Sequence, residues 1–165
     1  MTDSVNSREL VLAILLAVTK DGIYSHVAIS DVLTKYQYLE KQERSFITRV
    51  SEGTLERMLE LDYIINQFSS VKVNKMKPVI RCIIRSAVYE MKYMDSVPVS
   101  ASCNEAVKLA KKKGFGKLSG FVNGVLRNIG RNLDKIIYPD KEKAYKQYLS
   151  VTCSIPEWMI TLWEK

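Results

Sequence analysis

Three cysteines, one histidine, the asparagines Asn104 and Asn123, and an uneven set of cations are the residues here whose types could do chemistry. Cys82, Cys103 and Cys153 lie far apart and form no C-x-x-C pair, and His26 has no cysteine near it. A structural zinc site needs clustered thiolate and imidazole ligands, so the spacing predicts no metal and no disulfide framework. Reduced thiols fit a cytoplasmic protein. Glu105 has no companion carboxylate or histidine nearby in sequence, which fits a cap or an ion-pair partner better than an acid catalyst. Asn104 and Asn123 fit amides that cross-link helices through hydrogen bonds. His26, beside Ser25 at a helix start, fits a capping neighbour rather than a base. No catalytic residue is expected.

The cations are more telling. The net charge of +7 is split: residues 1–70 hold seven Lys/Arg against ten Asp/Glu, while residues 71–146 hold seventeen against six. A half with a net of +11 beside one with −3 predicts a basic face, whose natural partners are polyanions. Lys77, Arg81 and Arg85 recur every four residues. Lys108, Lys111, Lys112 and Lys113 crowd one helix end, and Lys117, Arg127 and Arg131 belong to the helix after it. Phosphate neutralisation asks for such clusters and little stereochemistry, so these ten are the candidate RNA-binding residues. The plain alternative is a solvated, lysine-rich surface; Arg81 and Arg85 also flank an apolar stripe, where their stems can pack.

The elements that position them are all helical. With 165 residues, 47% of them apolar and 26% charged, the chain can bury a core without staples. Leu10–Val18 is only nine residues long and follows Arg8 and Glu9, too short for a membrane span and unlike a signal peptide. Apolar residues recur at three- and four-residue steps with no alternating run. A first helix starts near Asn6, with Glu9 at capping-box spacing, and ends before Gly22. A second follows Ser25, with Val27, Leu33 and Tyr36 inward. A long segment from Lys41 to Phe68 bends or divides at Gly53. Residues 69–76 connect two halves, and Pro78 opens a helix whose stripe runs from Ile80 to Met91. The next helix starts between Ser96 and Ser102, where Ser102 and Glu105 offer a second capping box, and it stops at Gly114. The last core helix carries Leu118 to Leu133; Gly120 and Gly124 within it predict close approach of a neighbouring helix, because each costs about 1 kcal/mol against alanine. A short amphipathic helix from Pro156 exposes Trp158, Met159, Leu162 and Trp163.

Two stretches carry a resemblance. In Glu43–Phe68, Arg44, Phe46, Val50, Gly53, Leu55, Leu61, Asp62 and Ile65 stand at the places of a D-R-x-F…L-V-x-G-x-L…L-D-x-x-I pattern. In Val97–Ile129, Pro98, Asn104, Glu105, Ala106 and Val107 match V-P…N-E-A-V, and Gly120 to Arg127 match G-F-V-N-x-V-L-R. Both resemble NusB-like domains. Beyond them, Pro156, Trp158, Met159 and Trp163 are similar to the P-x-W-(L/M)…W segment that leads into the methyltransferase of the RsmB family of 16S rRNA cytosine-C5 methyltransferases. The family's first helix often opens with several arginines; this chain has Arg8 alone.

The resemblance implies an all-α, NusB-like fold of about seven helices, arranged as two three-helix bundles. It implies a ribosomal RNA-binding domain over residues 1–135. Residues 136–165 would be a linker and the start of the segment leading to a methyltransferase domain absent from this chain. That domain would be the second partner and would bring S-adenosylmethionine; this chain has no glycine-rich turn for the cofactor and no activated thiol, so no cofactor is expected within it. The rival reading is a free-standing antitermination factor of the NusB kind, binding boxA-type RNA with a small-subunit ribosomal protein. A weaker rival is a protein adaptor acting through the tryptophan edge.

Overall fold

In the computed structural model, which describes residues 6–164, every regular element is helical. Nine α-helices are found among the described residues: α1 (Ser7–Thr19), α2 (Ser25–Lys35), α3 (Lys41–Glu56), α4 (Met58–Phe68), α5 (Pro78–Tyr93), α6 (Val99–Lys112), α7 (Ser119–Arg131), α8 (Tyr145–Cys153) and α9 (Glu157–Trp163). The all-α expectation holds, with two more helices than foreseen because the polar stretch before Trp158 contains α8 and the long central segment divides.

Asn6 caps α1 as its type and position require: its side-chain oxygen accepts from the backbone N–H of Arg8 at 2.8 Å and of Glu9 at 3.3 Å. Glu9 does not close the capping box. Its carboxylate reaches instead across the fold to α6. At the other end, Gly22 with φ +73° takes the left-handed conformation that lets the chain leave the helix. Val27, expected inward, is exposed; Ala28 and Ile29 fill the inner side of α2.

The long segment divides at Arg57 rather than Gly53. Gly53 is fully buried in α3, and a Cβ there would sit 2.1 Å from the ring of Tyr89 on α5. The glycine is a packing requirement: it lets the two helices close until an aromatic ring lies on bare backbone. Ser102, likewise, is no cap. Helix α6 starts three residues earlier, after Pro98, and Ser102 is buried with its hydroxyl 3.3 Å from the Glu90 carboxylate.

Helices α1, α2 and α3 pack on one another, and α4, α6 and α7 pack around α5, which also touches α1 and α3. The second bundle thus holds four helices rather than three. Residues 69–76 lie within it and include a 3-10 turn at Val73–Lys75. Helix α5 is the axis of the fold: Ile80, Ile83, Ile84, Ala87 and Val88 are all 2% exposed or less. Burying one such aliphatic side chain contributes about 1.5–3 kcal/mol. Helix α8 packs on α4 and α9. Residues 136–154 are tied to α4 by polar bonds as well: Gln67 exchanges two hydrogen bonds with the backbone of Ile137, and the Ser154 hydroxyl accepts from the Leu59 N–H at 3.2 Å.

Gly53→Ala should therefore destabilise, by about 1–3 kcal/mol through overpacking, or roughly 2–12 °C in Tm for a chain of this size. Adding Tyr89→Leu should recover part of the loss. Thermal melts of the single and double variants check this, and an unchanged Tm for Gly53→Ala would refute the contact.

Candidate nucleic-acid interface

The ten predicted cations do not form one surface. Arg85 is buried at 8% exposure and makes a two-pronged bond to Asp62 on α4, with Nε and Nη2 donating to the two carboxylate oxygens at 2.7 and 2.8 Å. Arg81 donates to three backbone carbonyls, those of Val73, Asn74 and Met76, and so fastens the 69–76 connection to α5. These two arginines are occupied by the fold. Lys77, four residues before Arg81, is exposed at the start of α5. It borders an apolar cavity of about 310 Å³ floored by Met76, Ile80, Leu118 and Phe121.

The lysine run at the end of α6 is divided too. Glu9 accepts from Lys112 at 2.7 Å and from Lys113 at 2.8 Å, which clamps α6 to α1. The two ammonium groups hold the Glu9 carboxyl below the usual carboxylate range. Lys108 and Lys111 point elsewhere, onto a groove between α6 and α7 of about 470 Å³.

Helical spacing builds that groove. On α6, Asn104, Val107, Lys108 and Lys111 fall at steps of three, one and three, hence on one face. On α7, Gly120, Asn123, Gly124 and Arg127 do the same. The two stripes oppose each other. Arg127 joins them at one end: Nε donates to Asn123 Oδ1 at 3.2 Å and Nη2 to Asn104 Oδ1 at 2.8 Å. Asn104 thus cross-links α6 to α7 through the guanidinium, as its type suggested, whereas the Asn123 bond stays within α7. Glu105 pairs with Lys108 at 3.5 Å, the ion-pair role expected of it. Lys117 is exposed in the turn before α7, and Arg131 is exposed at its end, bonded through Nε to the Arg127 carbonyl. Lys108 and Lys111 therefore line the α6–α7 groove and Arg127 bridges it, with Arg131 one turn further along α7, Lys117 in the turn before α7, and Lys112 and Lys113 held by Glu9.

Gly120 and Gly124 do not bring a helix close. A Cβ at either would meet nothing within 4 Å. The glycine that packs is Gly130, where a Cβ would lie 2.6 Å from a Val99 methyl group.

Of the three cysteines, Cys82 and Cys103 are buried and Cys153 is exposed. Burial pushes the Cys82 and Cys103 thiols above their ordinary values, away from the thiolate a nucleophile needs. His26 is exposed and stacks on Tyr24 at 6.0 Å between ring centroids. Among the described residues no group of three or more His, Cys, Asp or Glu could hold a metal ion, and no helix is long and apolar enough to cross a membrane. Sequence reasoning missed Glu9, Asp62 and Glu90 as the groups that claim cations; the signal available was an arginine, Arg85, inside an otherwise apolar stripe.

Two outcomes separate the two kinds of cation. Arg85→Met should lower stability by about 3 kcal/mol, because it strands the half-buried Asp62 carboxylate, whereas Lys108→Met and Lys111→Met should each stay within about 0.5 kcal/mol. Denaturant titration reads all three; equal losses would reject the division. Glu9 gives a pH signature. Its folded value is lowered, so the clamp stabilises fully above the ordinary carboxyl value of 4.5 and is lost as pH falls through the depressed one. The Tm advantage of the wild-type chain over Glu9→Gln should be present at pH 7 and vanish in acid, and a gap that persists at pH 2 would exclude the ion pair.

Comparison with known proteins places this geometry. Residues 5–131 match the NusB family. A probable ribosomal RNA small subunit methyltransferase B of Bacillus subtilis is 32% identical over 160 residues, which are 94% of this chain and 34% of that protein. The transcription antitermination protein NusB of the same organism is 35% identical over 130 residues, 78% of this chain and 95% of that protein. The chain thus spans about a third of the length of the methyltransferase relatives it matches. A chain in the crystal structure of antitermination factors NusB and NusE in complex with double-stranded RNA has the same fold, with a TM-score of 0.69 at 22% identity over 76% of this chain and 93% of that one. With the family's match running from α1 to the end of α7, this chain belongs to the NusB family.

Proposed function

We propose that the chain binds ribosomal RNA of the small subunit through its α6–α7 face and presents it to an S-adenosylmethionine-dependent cytosine-C5 methyltransferase domain. The observation that carries the RNA reading is the groove lined by Lys108 and Lys111 and bridged by Arg127, in the half of the chain with a net of +11. Such a face neutralises successive phosphates. Lys77 and the apolar cavity on Phe121 and Leu118 add a place where an unpaired base can leave water beside a cation.

The methyltransferase reading rests on the last thirty residues. The NusB relative matches 78% of the chain and the methyltransferase relative 94%. The NusB family match stops at residue 131, before α8 and α9, and α9 leaves Trp158, Leu162 and Trp163 at 60–67% exposure. An apolar edge of that kind suits a protein contact. The second reading, an antitermination factor acting with a ribosomal protein, is favoured by the likeness to the Bacillus subtilis NusB and to a chain of the NusB–NusE–RNA structure. It leaves α8 and α9 without a role.

Replacing Lys108, Lys111 and Lys117 with Glu should weaken binding of a 16S rRNA transcript and flatten its salt dependence, with roughly 0.7–0.9 lost from the log–log slope per phosphate contact removed. The matched change of Lys20, Lys35 and Lys41 to Glu should do far less. Filter binding at several salt concentrations reads both. Equal losses would reduce the effect to net charge, and no loss in either would refute RNA binding by this face.

A further inference from the structure

Gly120 and Gly124 present an energetic anomaly. Both lie in α7 and are exposed, Gly120 in its first turn and Gly124 in its interior, where glycine is worth about 1 kcal/mol less than alanine. Gly53 and Gly130 are explained by a ring and a methyl group that leave no room for a Cβ. At Gly120 and Gly124 there is room, and nothing among the described residues uses it.

Their surroundings say what could. Gly120 lines the α6–α7 groove, whose opposite wall carries Lys108 and Lys111. Its volume, about 470 Å³, falls within the roughly 300–1,000 Å³ typical of ligand sites. Gly124 lies one turn further on the same face of α7, beside Arg127. The Arg127 guanidinium is held flat by the amide oxygens of Asn104 and Asn123, an arrangement that fixes its plane while using two of its five N–H donors on those amides. A pre-set planar fork with free donors is suited to phosphate oxygens. A side chain at residue 120 or 124 would stand between those cations and anything lying along the helix.

Resting on the RNA-binding reading above, we propose that the groove is a track for the RNA sugar–phosphate backbone. The strand lies directly on the α7 backbone at Gly120 and Gly124, with Lys108 and Lys111 on one side and Arg127 at the end. Glycine serves here because it lets a ligand come close to main chain that any Cβ would keep away. Contact of this kind reads no base, so the groove accepts RNA irrespective of sequence.

The test exploits the opposite signs of the two effects. In the full chain, Gly120→Gln and Gly124→Gln add no charge and replace a poor helix former with a good one. The double variant should melt at the same or a higher temperature yet bind a labelled twenty-nucleotide oligouridylate at least about tenfold more weakly, a change of about 1.4 kcal/mol. Fluorescence anisotropy at fixed salt gives the affinity, with the Lys108, Lys111 and Lys117 charge reversal alongside. If the lysine variant loses affinity and the glycine variant binds like the wild type, RNA uses the face but not the groove, and the proposal falls alone. If neither loses affinity, the RNA reading falls and the proposal with it. A glycine variant that melts lower would assign the two residues to the fold and overturn the proposal.

Discussion

Two charged side chains on the buried helix α5 constrain the whole arrangement. Arg85 and Glu90 are 8% and 2% exposed, and a charge removed from water is tolerated only when paired and hydrogen-bonded. Arg85 takes Asp62 from α4. Glu90 takes Arg8 from α1, through bonds of 2.7–3.2 Å, and Ser102 from α6. Burial alone would push the Glu90 carboxyl well up; Arg8 and Ser102 pull against it, though burial still prevails and its value stays raised. Through two residues, α5 is joined to three other helices. Apolar packing against α5 could slide by a turn at modest cost, whereas a fork of two bonds between guanidinium and carboxylate cannot.

That constraint also marks the limit of what the sequence makes legible. Local signals are read correctly where the cause is local: the Asn6 cap, Gly22 in the left-handed region, Pro78 in the first turn of α5, the halt of α6 before Gly114. Where the cause is a partner far along the chain, the same signals mislead. Ser102 has capping-box spacing to Glu105, yet its hydroxyl answers Glu90. Arg81 and Arg85 continue a four-residue period begun by Lys77, yet both are consumed inside the protein. The clearest case is the glycines. Gly53 looks like a helix breaker and is a packing seat, while Gly120 and Gly124 look like packing seats and face open space. Sequence shows that a glycine is costly; only the neighbours show what offsets the cost.

Residues beyond α7 obey the same logic on a smaller scale. Tyr138 stacks on Tyr63 of α4 and meets the Lys92 ammonium of α5, so the chain returns to the second bundle right after it leaves α7. Val151 and Ile160 are buried, while Trp158, Leu162 and Trp163 are not. A helix of seven residues, about two turns, cannot hide two indoles and a leucine while also seating Ile160 inward. The tryptophan edge is thus the surface left over once α8 and α9 have packed on each other.

The split between occupied and available cations follows residue type, for a physical reason. All eight arginines donate to a carboxylate, an amide, a hydroxyl or a backbone carbonyl of the chain itself. The guanidinium is weakly hydrated and planar, so it gives up little water to satisfy several fixed acceptors. The ammonium is a strongly hydrated point charge and stays in solvent, as Lys77, Lys108, Lys111 and Lys117 do. Arginines therefore hold the fold, and lysines supply most of its external field. The division is not complete: Arg127, braced by two asparagines at the mouth of the groove, and Arg131 sit in both sets, and Lys112 and Lys113 are held by Glu9. A surface that is mainly ammonium attracts phosphates without fixing their geometry and weakens steeply with salt. On the RNA face proposed above, the rigid features between the lysines are the braced guanidinium and the bare backbone at Gly120 and Gly124, and these are what can set a strand's position.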